Sequence, residues 1–367
     1  MPSARGTKIA EGFSQKLLRH IYENAPIDEV VNRDYEGEIN AVGSKLNILN
    51  LAKISEKTYS GSNLTADDLT ETNTQLVIDQ QKSFYWKEKT IDNFVSYIKS
   101  PRGTVVEQTG NERKKNIMSF LLTFWADAAS GNWYGVDYTT GTVAIDNSGN
   151  VTGTGTTFTS AMVGKPFKAT GHTKWYRVKT YSSGTAIVIE NDSDDETSSY
   201  DGGVIGAGAT YTVQANTVQT VDNGGTNPSF LTMTLKLAQY LDEAEVPDED
   251  RYLFVPPAAV PTMMKDTGIK LSVPAAYEEL VKKGMLTELQ GFKVFVSNRV
   301  AGDNTNGFHV LAGHKSFLTF ADKALEAGME EDLIGNFGSA YKDLFVYGAK
   351  VADVRRKFGA HAFVKFA

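Results

Sequence analysis

Three short apolar runs in the last third of the sequence constrain the fold more than any other feature. Residues 251–257 (RYLFVPP) are stopped by two prolines, and residues 291–298 (GFKVFVSN) alternate after a glycine, which is typical of β-strands. The third run, residues 309–324 (HVLAGHKSFLTFADKA), predicts a strand that turns at Gly313 into a helix. Residues 344–367 alternate strongly and predict a closing antiparallel strand pair. The last third is therefore predicted to mix helices and strands.

The composition excludes several classes of protein. The chain of 367 residues has no cysteine, which rules out disulfides and thiolate metal sites. Its 37 basic and 44 acidic residues give a net charge of −7, so no overall basic surface is available to coat nucleic acid. The sequence contains neither the apolar stretch of a signal peptide nor the roughly twenty apolar residues of a membrane-spanning helix. We therefore expect a soluble intracellular protein with more than one compact region.

The N-terminal part of the sequence combines an amphipathic segment with extended chain. A spacing of four residues predicts a short helix with a basic polar face and with an apolar face formed by Ile9, Phe13, Leu17 and Ile21. Residues 30–51 and 76–92 predict two extended arms around a polar tip, with Phe84 and Trp86 on one face. This pattern indicates a protruding hairpin, which would be only marginally stable by itself.

The middle of the sequence changes from helix to β structure. Residues 106–130 give the longest predicted helix, which Gly131 would end. Residues 138–215 are rich in glycine, serine and threonine and contain short alternating runs, which predicts an all-β domain inserted between helices. The predicted core of this insert is Trp175, Tyr176, Val178, Ile187 and Ile189.

Two further helices are predicted after the insert. Asn227 followed by Pro228 is typical of a helix cap and first turn, and residues 275–283 predict another helix between the first two apolar runs.

In order and spacing, these segments resemble the major capsid protein of tailed bacteriophages with the Hong Kong 97-type fold. The likeness is carried by RDYEGEIN and GSKLNI (33–48), IDQQKSFYWKEKTID (78–92), the long predicted helix and LAGHKSFLTFA (311–321). The resemblance implies an α+β fold. It divides the chain into an N-terminal arm (1–33), an extended loop (34–92), a peripheral domain with a spine helix (93–137), an inserted all-β domain (138–215), a connecting helix (216–250), an axial domain (251–300) and a return with the C-terminal strands (301–367).

The resemblance also implies a function. Such a protein assembles into the pentamers and hexamers of an icosahedral head around double-stranded DNA, needs no cofactor and catalyses nothing. Arm and loop side chains would then contact other subunits, and those predicted to do so are Phe13, Leu17, Arg33, Glu36, Glu38, Lys53 and Lys57. The expected partners are further copies of the chain, a portal protein and a separate scaffold protein, because the sequence starts almost at the arm. The expected location is the virion, after assembly in the host cytoplasm, without a membrane.

The role of the insert and of the basic N-terminal segment stays open at this stage. Residues 151–167 (VTGTGTTFTSAMVGKPF) resemble a small β module that recurs in phage virion proteins, so the insert would brace neighbouring subunits or bind a decoration protein. It follows the predicted spine helix, whereas the best-known insertions of the family lie in the axial domain. The basic N-terminal segment suits DNA phosphates, an acidic scaffold or an adjacent subunit equally well.

Two alternative functions fit parts of the sequence. An encapsulin-like compartment shell would share the fold, but it would lack the insert and need a groove for cargo. A carbohydrate-binding or adhesin protein would be built around the β insert, with Trp175 and Tyr176 as a stacking platform for sugars.

No combination of residues predicts catalysis or a metal site. The histidines show no metal-ligand spacing, and His314 is interpreted as a capping or packing residue. Residues 192–196 (DSDDE) lack the spacing of an EF-hand, so a solvated loop is favoured over a calcium site.

Overall fold

The computed structural model describes residues 26–34, 45–51, 56, 58, 71–89, 102–192, 199–272, 274, 278, 288–330 and 338–367. The helices of this part of the chain are α1 (Ile27–Val30), α2 (Arg102–Leu121), α3 (Phe230–Glu243), α4 (Ala259–Lys265) and α5 (Thr267–Ser272). The strands before the middle of the chain are β1 (Val31–Asn32), β2 (Lys45–Leu51), β3 (Glu71–Val77), β4 (Gln80–Lys89), β5 (Trp133–Tyr134), β6 (Val136–Tyr138), β7 (Thr142–Ile145), β8 (Asn150–Thr154), β9 (Pro166–Ala169), β10 (Tyr176–Ser183) and β11 (Ala186–Asn191). The later strands are β12 (Ile205–Ala209), β13 (Tyr211–Thr217), β14 (Gln219–Val221), β15 (Arg251–Val255), β16 (Glu288–Leu289), β17 (Phe292–Val296), β18 (Gly302–Asp303), β19 (Gly307–His314), β20 (Leu318–Glu330), β21 (Gly338–Lys350) and β22 (Gly359–Phe366).

A four-stranded sheet in the order β1-β20-β21-β4, here called the long-strand sheet, separates two apolar clusters. On one face Phe320 and Tyr347 join the main core with Ile117 and Leu121 of α2. On the other face Ala321 and Val346 belong to a smaller cluster that contains the hairpin residues Ile48, Leu76 and Ile78. This arrangement follows from the strand period of two, since neighbouring residues point to opposite faces.

The hairpin is formed by β2 and β3, which pair antiparallel along their whole length from Lys45↔Val77 to Leu51↔Glu71. Its base crosses β21 at Gly348, where a Cβ atom would lie 2.3 Å from the carbonyl oxygen of Val77. A side chain at position 348 would therefore push the hairpin away from the sheet. A hairpin is therefore present, but its return strand was predicted wrongly: β2 lies in the predicted first arm and pairs with residues 71–77, whereas most of the predicted second arm, 76–92, forms β4 and pairs with β21.

The main core surrounds a second sheet, the central sheet, in the order β14-β22-β19-β15-β17-β16. β15 is buried along its whole length and pairs parallel to β17 and antiparallel to β19. A strand covered on both faces needs no alternation, which explains the continuous apolar sequence RYLFV. The predicted strands in the first two apolar runs are confirmed.

Residues 136–217 form an antiparallel eight-stranded sheet in the order β12-β7-β8-β11-β10-β9-β13-β6, here called the β module. Its core contains Tyr176, Val178, Ile187 and Ile189, as predicted. Trp175 was wrongly assigned to this core, because it is only half-buried. Tyr176 and Val178 point inward from β10, so the strand period turns the neighbouring residues outward.

The third apolar run differs from its prediction. β19 ends at His314, but the residues after it form the strand β20 and not a helix. Apolar residues at 317, 318, 320 and 321 suit a helix as well as a strand, and pairing along nearly all of β21 decides for the strand.

The predicted closing strand pair is also wrong. β21 lies in the long-strand sheet and β22 in the central sheet, so the segment 301–367 is divided between the two.

Two predicted helices need smaller corrections. The long helix is α-helical to Leu121 and continues as a 3₁₀ helix over Leu122–Asp127. Helix α3 is capped by Ser229 rather than Asn227, because the Ser229 hydroxyl accepts a hydrogen bond from the Thr232 amide. Asn227 instead donates to Asp222 at 2.9 Å. The helix predicted at 275–283 lies outside the described residues, apart from residue 278.

Candidate subunit interface

Helix α1 and strand β1, which follow the N-terminal segment, are anchored to the main core. Ile27, Val30 and Val31 are buried in the main core. Arg33 then pairs with Asp28 and with Asp322 at 3.0 Å each, and its guanidinium lies 5.2 Å from the centre of the Phe320 ring. The charge of Arg33 is thus balanced within the subunit, and its predicted contact with another subunit stays a prediction.

An open cleft of about 310 Å³, lined by both apolar and polar side chains, lies where the start of α2 meets the far end of the long-strand sheet. Trp86 of β4 stacks on Tyr341 of β21 with 4.3 Å between ring centres, and Phe84 lines the same cleft, so these two residues share a face as predicted. Val106 and Met329, at 53% and 42% exposure, form its rim. Apolar side chains gathered at an opening in this way are typical of contact surfaces.

An ion pair fixes the floor of this cleft. Arg113 of α2 pairs with Asp343 of β21, and its guanidinium lies 4.3 Å from the centre of the Phe345 ring. Asp343 also accepts a hydrogen bond from the Phe84 amide at 2.9 Å. Helix α2, β21 and β4 are therefore tied together at one carboxylate, which holds the cleft open in a defined shape.

The other residues predicted to contact neighbouring subunits lie outside the described residues. They are Phe13, Leu17, Glu36, Glu38, Lys53 and Lys57. Apart from Phe84 and Trp86, whose alternation indicated a shared face, the cleft residues were not singled out from the sequence.

Two histidines that are far apart in sequence meet between the β module and the central sheet. His309 Nδ1 and His361 Nε2 are 3.0 Å apart, and Trp125 stacks on the His309 ring at 3.8 Å. Burial, with a smaller effect of the Lys165 charge, lowers the pKa of His309 to about 4. Burial also holds the pKa of His361 well below its usual value. The pair is therefore neutral near pH 7, and no local sequence pattern could have predicted it.

Two further histidines in the described part of the chain, His314 and His172, have local partners. His314 Nδ1 accepts a hydrogen bond from the Ser316 amide at 3.1 Å and its ring lies 5.9 Å from that of Phe358, which fits the packing role, whereas no helix follows His314 to be capped. His172 accepts from the Ala169 amide and bonds to the Tyr200 hydroxyl. Within the described residues no three acidic, histidine or cysteine side chains are grouped to hold a metal ion.

The structure argues against a calcium site and against a sugar-stacking platform in the β insert. Asp192, the first residue of DSDDE, bonds to Arg177 and Arg356 and is therefore neutralised by protein rather than available to a cation. Residues 193–198 lie outside the described residues. Tyr176 is only 2% exposed, so Trp175 and Tyr176 do not form the two-ring platform considered for sugars.

Comparison with known structures identifies the fold. A chain from the structure of Mycobacterium phage Che8 is similar with a TM-score of 0.58 and 17% identity, over 98% of both chains. A chain from the capsid structure of the cyanophage P-SCSP1u gives 0.55 and 12%, over 98% of this chain and 94% of that one. The asymmetric unit of the bacteriophage PhiM1 mature capsid gives 0.53 and 10%, over 96% and 91%.

Sequence comparison adds no family. No protein-family model and no curated protein matches the chain. None of the helices in the described part of the chain is both long and apolar enough to cross a membrane. The predicted α+β capsid fold is nevertheless confirmed, since the chain shares its architecture over nearly its whole length with chains from phage capsid structures.

Proposed function

We propose that this protein is the major capsid protein of a tailed bacteriophage, whose copies form the pentamers and hexamers of an icosahedral head around double-stranded DNA. The observation that carries the proposal is the likeness in fold to chains of phage capsids over 96% or more of this chain. The protein acts by assembly, so it needs neither a catalytic group nor a cofactor, and its place is the virion.

The mechanism is repeated weak contact between identical subunits. Closed rings and shells are stable because many such contacts form together. The N-terminal segment would supply one side of a contact through Phe13 and Leu17, and the extended loop another through Glu36, Glu38, Lys53 and Lys57. The cleft around Trp86 and Met329 is a surface that such a contact would cover. Arg33 contributes by anchoring the arm to its own subunit.

The domain boundaries inferred from the resemblance remain part of this proposal. The β module at residues 136–217 supports the proposed insert at 138–215. A scaffold protein, a portal protein and a decoration protein bound to the insert are the further partners, and the basic N-terminal segment would touch the scaffold, packaged DNA or an adjacent subunit.

Electron microscopy of purified protein tests the proposal. We expect closed particles from the whole chain, and folded but unassembled subunits when residues 1–24 are removed or when Phe13→Ala and Leu17→Ala are combined. The control is the double variant Ser14→Ala with Gln15→Ala, which leaves the apolar face intact. Normal shells from the truncated chain would show that the arm has no part in assembly, and a chain that stays monomeric at high concentration would refute the proposed function.

A further inference from the structure

Strand β22 is bordered on one side by the two stretches of chain that lead into and out of the β module. β5 comes directly before the module and pairs parallel to β22 through Trp133↔His361 and Tyr134↔Ala362. β14 comes directly after the module and pairs parallel to β22 from Gln219↔Val364 to Val221↔Phe366. The opposite side of β22 is occupied by β19. β5 and β14 therefore lie one after the other along a single edge.

The β module brings these two stretches together. Its first and last strands pair with each other, with Val136 opposite Thr217. Just before them, a Cβ atom on Gly135 would lie 2.8 Å from the Cβ atom of Ala215, so the two chains approach as closely as glycine permits. The pairing of β6 with β13 thus brings β5 and β14 close together in addition to their pairing with β22.

A buried charge cluster joins the module to the segment just before β22. Asp192, at the end of β11, bonds through Oδ1 to Arg177 at 2.5 Å and to Arg356 at 2.6 Å. Its Oδ2 accepts from the Ser130 amide at 2.8 Å. Burial raises the pKa of Asp192, but the charges of Arg177 and Arg356 and the bonds from Ser130 outweigh it, so the carboxylate stays ionised.

The same arginines also bind the turn that ends the α2 region. Arg177 donates to the carbonyls of Ala126 and Ala128, and Arg356 donates to that of Asp127. The Arg356 side chain is only 6% exposed. A guanidinium buried to this extent needs a charged partner, and the module supplies it through Asp192.

We propose that the β module acts within its own chain as a clamp on β22, so that β22 keeps its native pairing only while the module is folded. The module is then an integral part of the body of the subunit rather than a detachable decoration. Backbone pairing by β5 and β14 sets the position of β22, and the Asp192 carboxylate stabilises the charged segment before it.

Remote weakening of the module tests the backbone part of the clamp. Ile145 is 2% exposed in β7, away from the junction, and Ile145→Ala should destabilise the module by cavity formation. Hydrogen exchange followed by mass spectrometry should then accelerate at least about thirtyfold in β8 and, to the same extent, in β22. Exchange in β20 should be unchanged. The control is Val204→Ala, because Val204 lies near Ile145 but is 65% exposed, and this variant should exchange like the unaltered protein in every strand. Acceleration confined to the module, or equal in β20, would overturn the proposal.

Removal of the carboxylate tests the charge part. Asp192→Asn removes the carboxylate that bridges Arg177 and Arg356, and we expect exchange in β22 to accelerate on the order of a hundredfold while β7 keeps its protection. The matched control is Asp201→Asn, since Asp201 forms an exposed ion pair with Lys174 on the same module. Unchanged protection of β22 in Asp192→Asn would remove Asp192 from the clamp.

Discussion

Leu76→Ala should release the hairpin from the long-strand sheet without unfolding the subunit. Leu76 is fully buried, but its neighbours Ile48, Ile78, Ala321 and Val346 form a cluster separate from the main core. Leucine-to-alanine changes at buried sites cost about 2–5 kcal/mol, because apolar contacts are lost and a cavity remains. Since this cluster is small and partly open, we expect the lower end, about 2 kcal/mol, and the whole of it should fall on hairpin docking.

Hydrogen exchange of the separate strands measures this effect. A loss of about 2 kcal/mol corresponds to exchange roughly thirtyfold faster in β2 and β3, while β15 and β19 should exchange as before. The control is Val77→Ala on the same strand, because Val77 is 38% exposed and should change exchange by less than about twofold. If Leu76→Ala accelerated exchange equally in the central sheet, the two clusters would form one cooperative unit and the reasoning would be refuted.

Two further predictions concern the cleft and the buried histidine pair. Met329→Glu should abolish closed particles in electron microscopy, because Met329 is exposed in the subunit but would be covered after assembly. The free energy of unfolding of the subunit should change by less than about 0.5 kcal/mol. The control Val204→Glu, in the β module, should assemble normally. Acid should destabilise the subunit, because the folded pKa values of His309 and His361 lie below the unfolded value near 6.5. Their stabilisation is present above that pH and is lost as the pH falls through about 4 for His309, by at most about 1.4 kcal/mol per pH unit for each histidine. Urea unfolding between pH 7 and 4.5 should therefore show a shallower pH dependence in His309→Gln, and an unchanged slope would contradict this assignment.

The sequence predicts elements well where one local pattern fits one structure. The run RYLFVPP suits a fully buried strand and little else, and the observed β15 covers its first part. The run after His314 suits both helix and strand, and the outcome is decided by β21, which lies beyond the reach of any local pattern. Trp175 was misplaced by a single register step, since a shift of one residue moves a side chain to the other face of a strand.

Parts of the candidate site depend on contacts between distant segments. Arg33 balances its charge against Asp322, and Arg113 against Asp343, both more than two hundred residues away. His309 and His361 meet only because β19 pairs with β22. A single sequence carries no record of such pairings, so the sequence predicted the long helix and the shared face of Phe84 and Trp86 but not the cleft that α2, β4, β20 and β21 form.

The position of the long-strand sheet between two separate apolar clusters determines how force passes through the subunit. A pull on the hairpin reaches α2 through the hydrogen-bonded backbones of β20 and β21, since no side chain belongs to both clusters. The close crossing at Gly348 is then a natural pivot. In the proposed assembly, a tilt of the hairpin about this crossing would change its angle to a neighbouring subunit while the interior of the subunit keeps its packing.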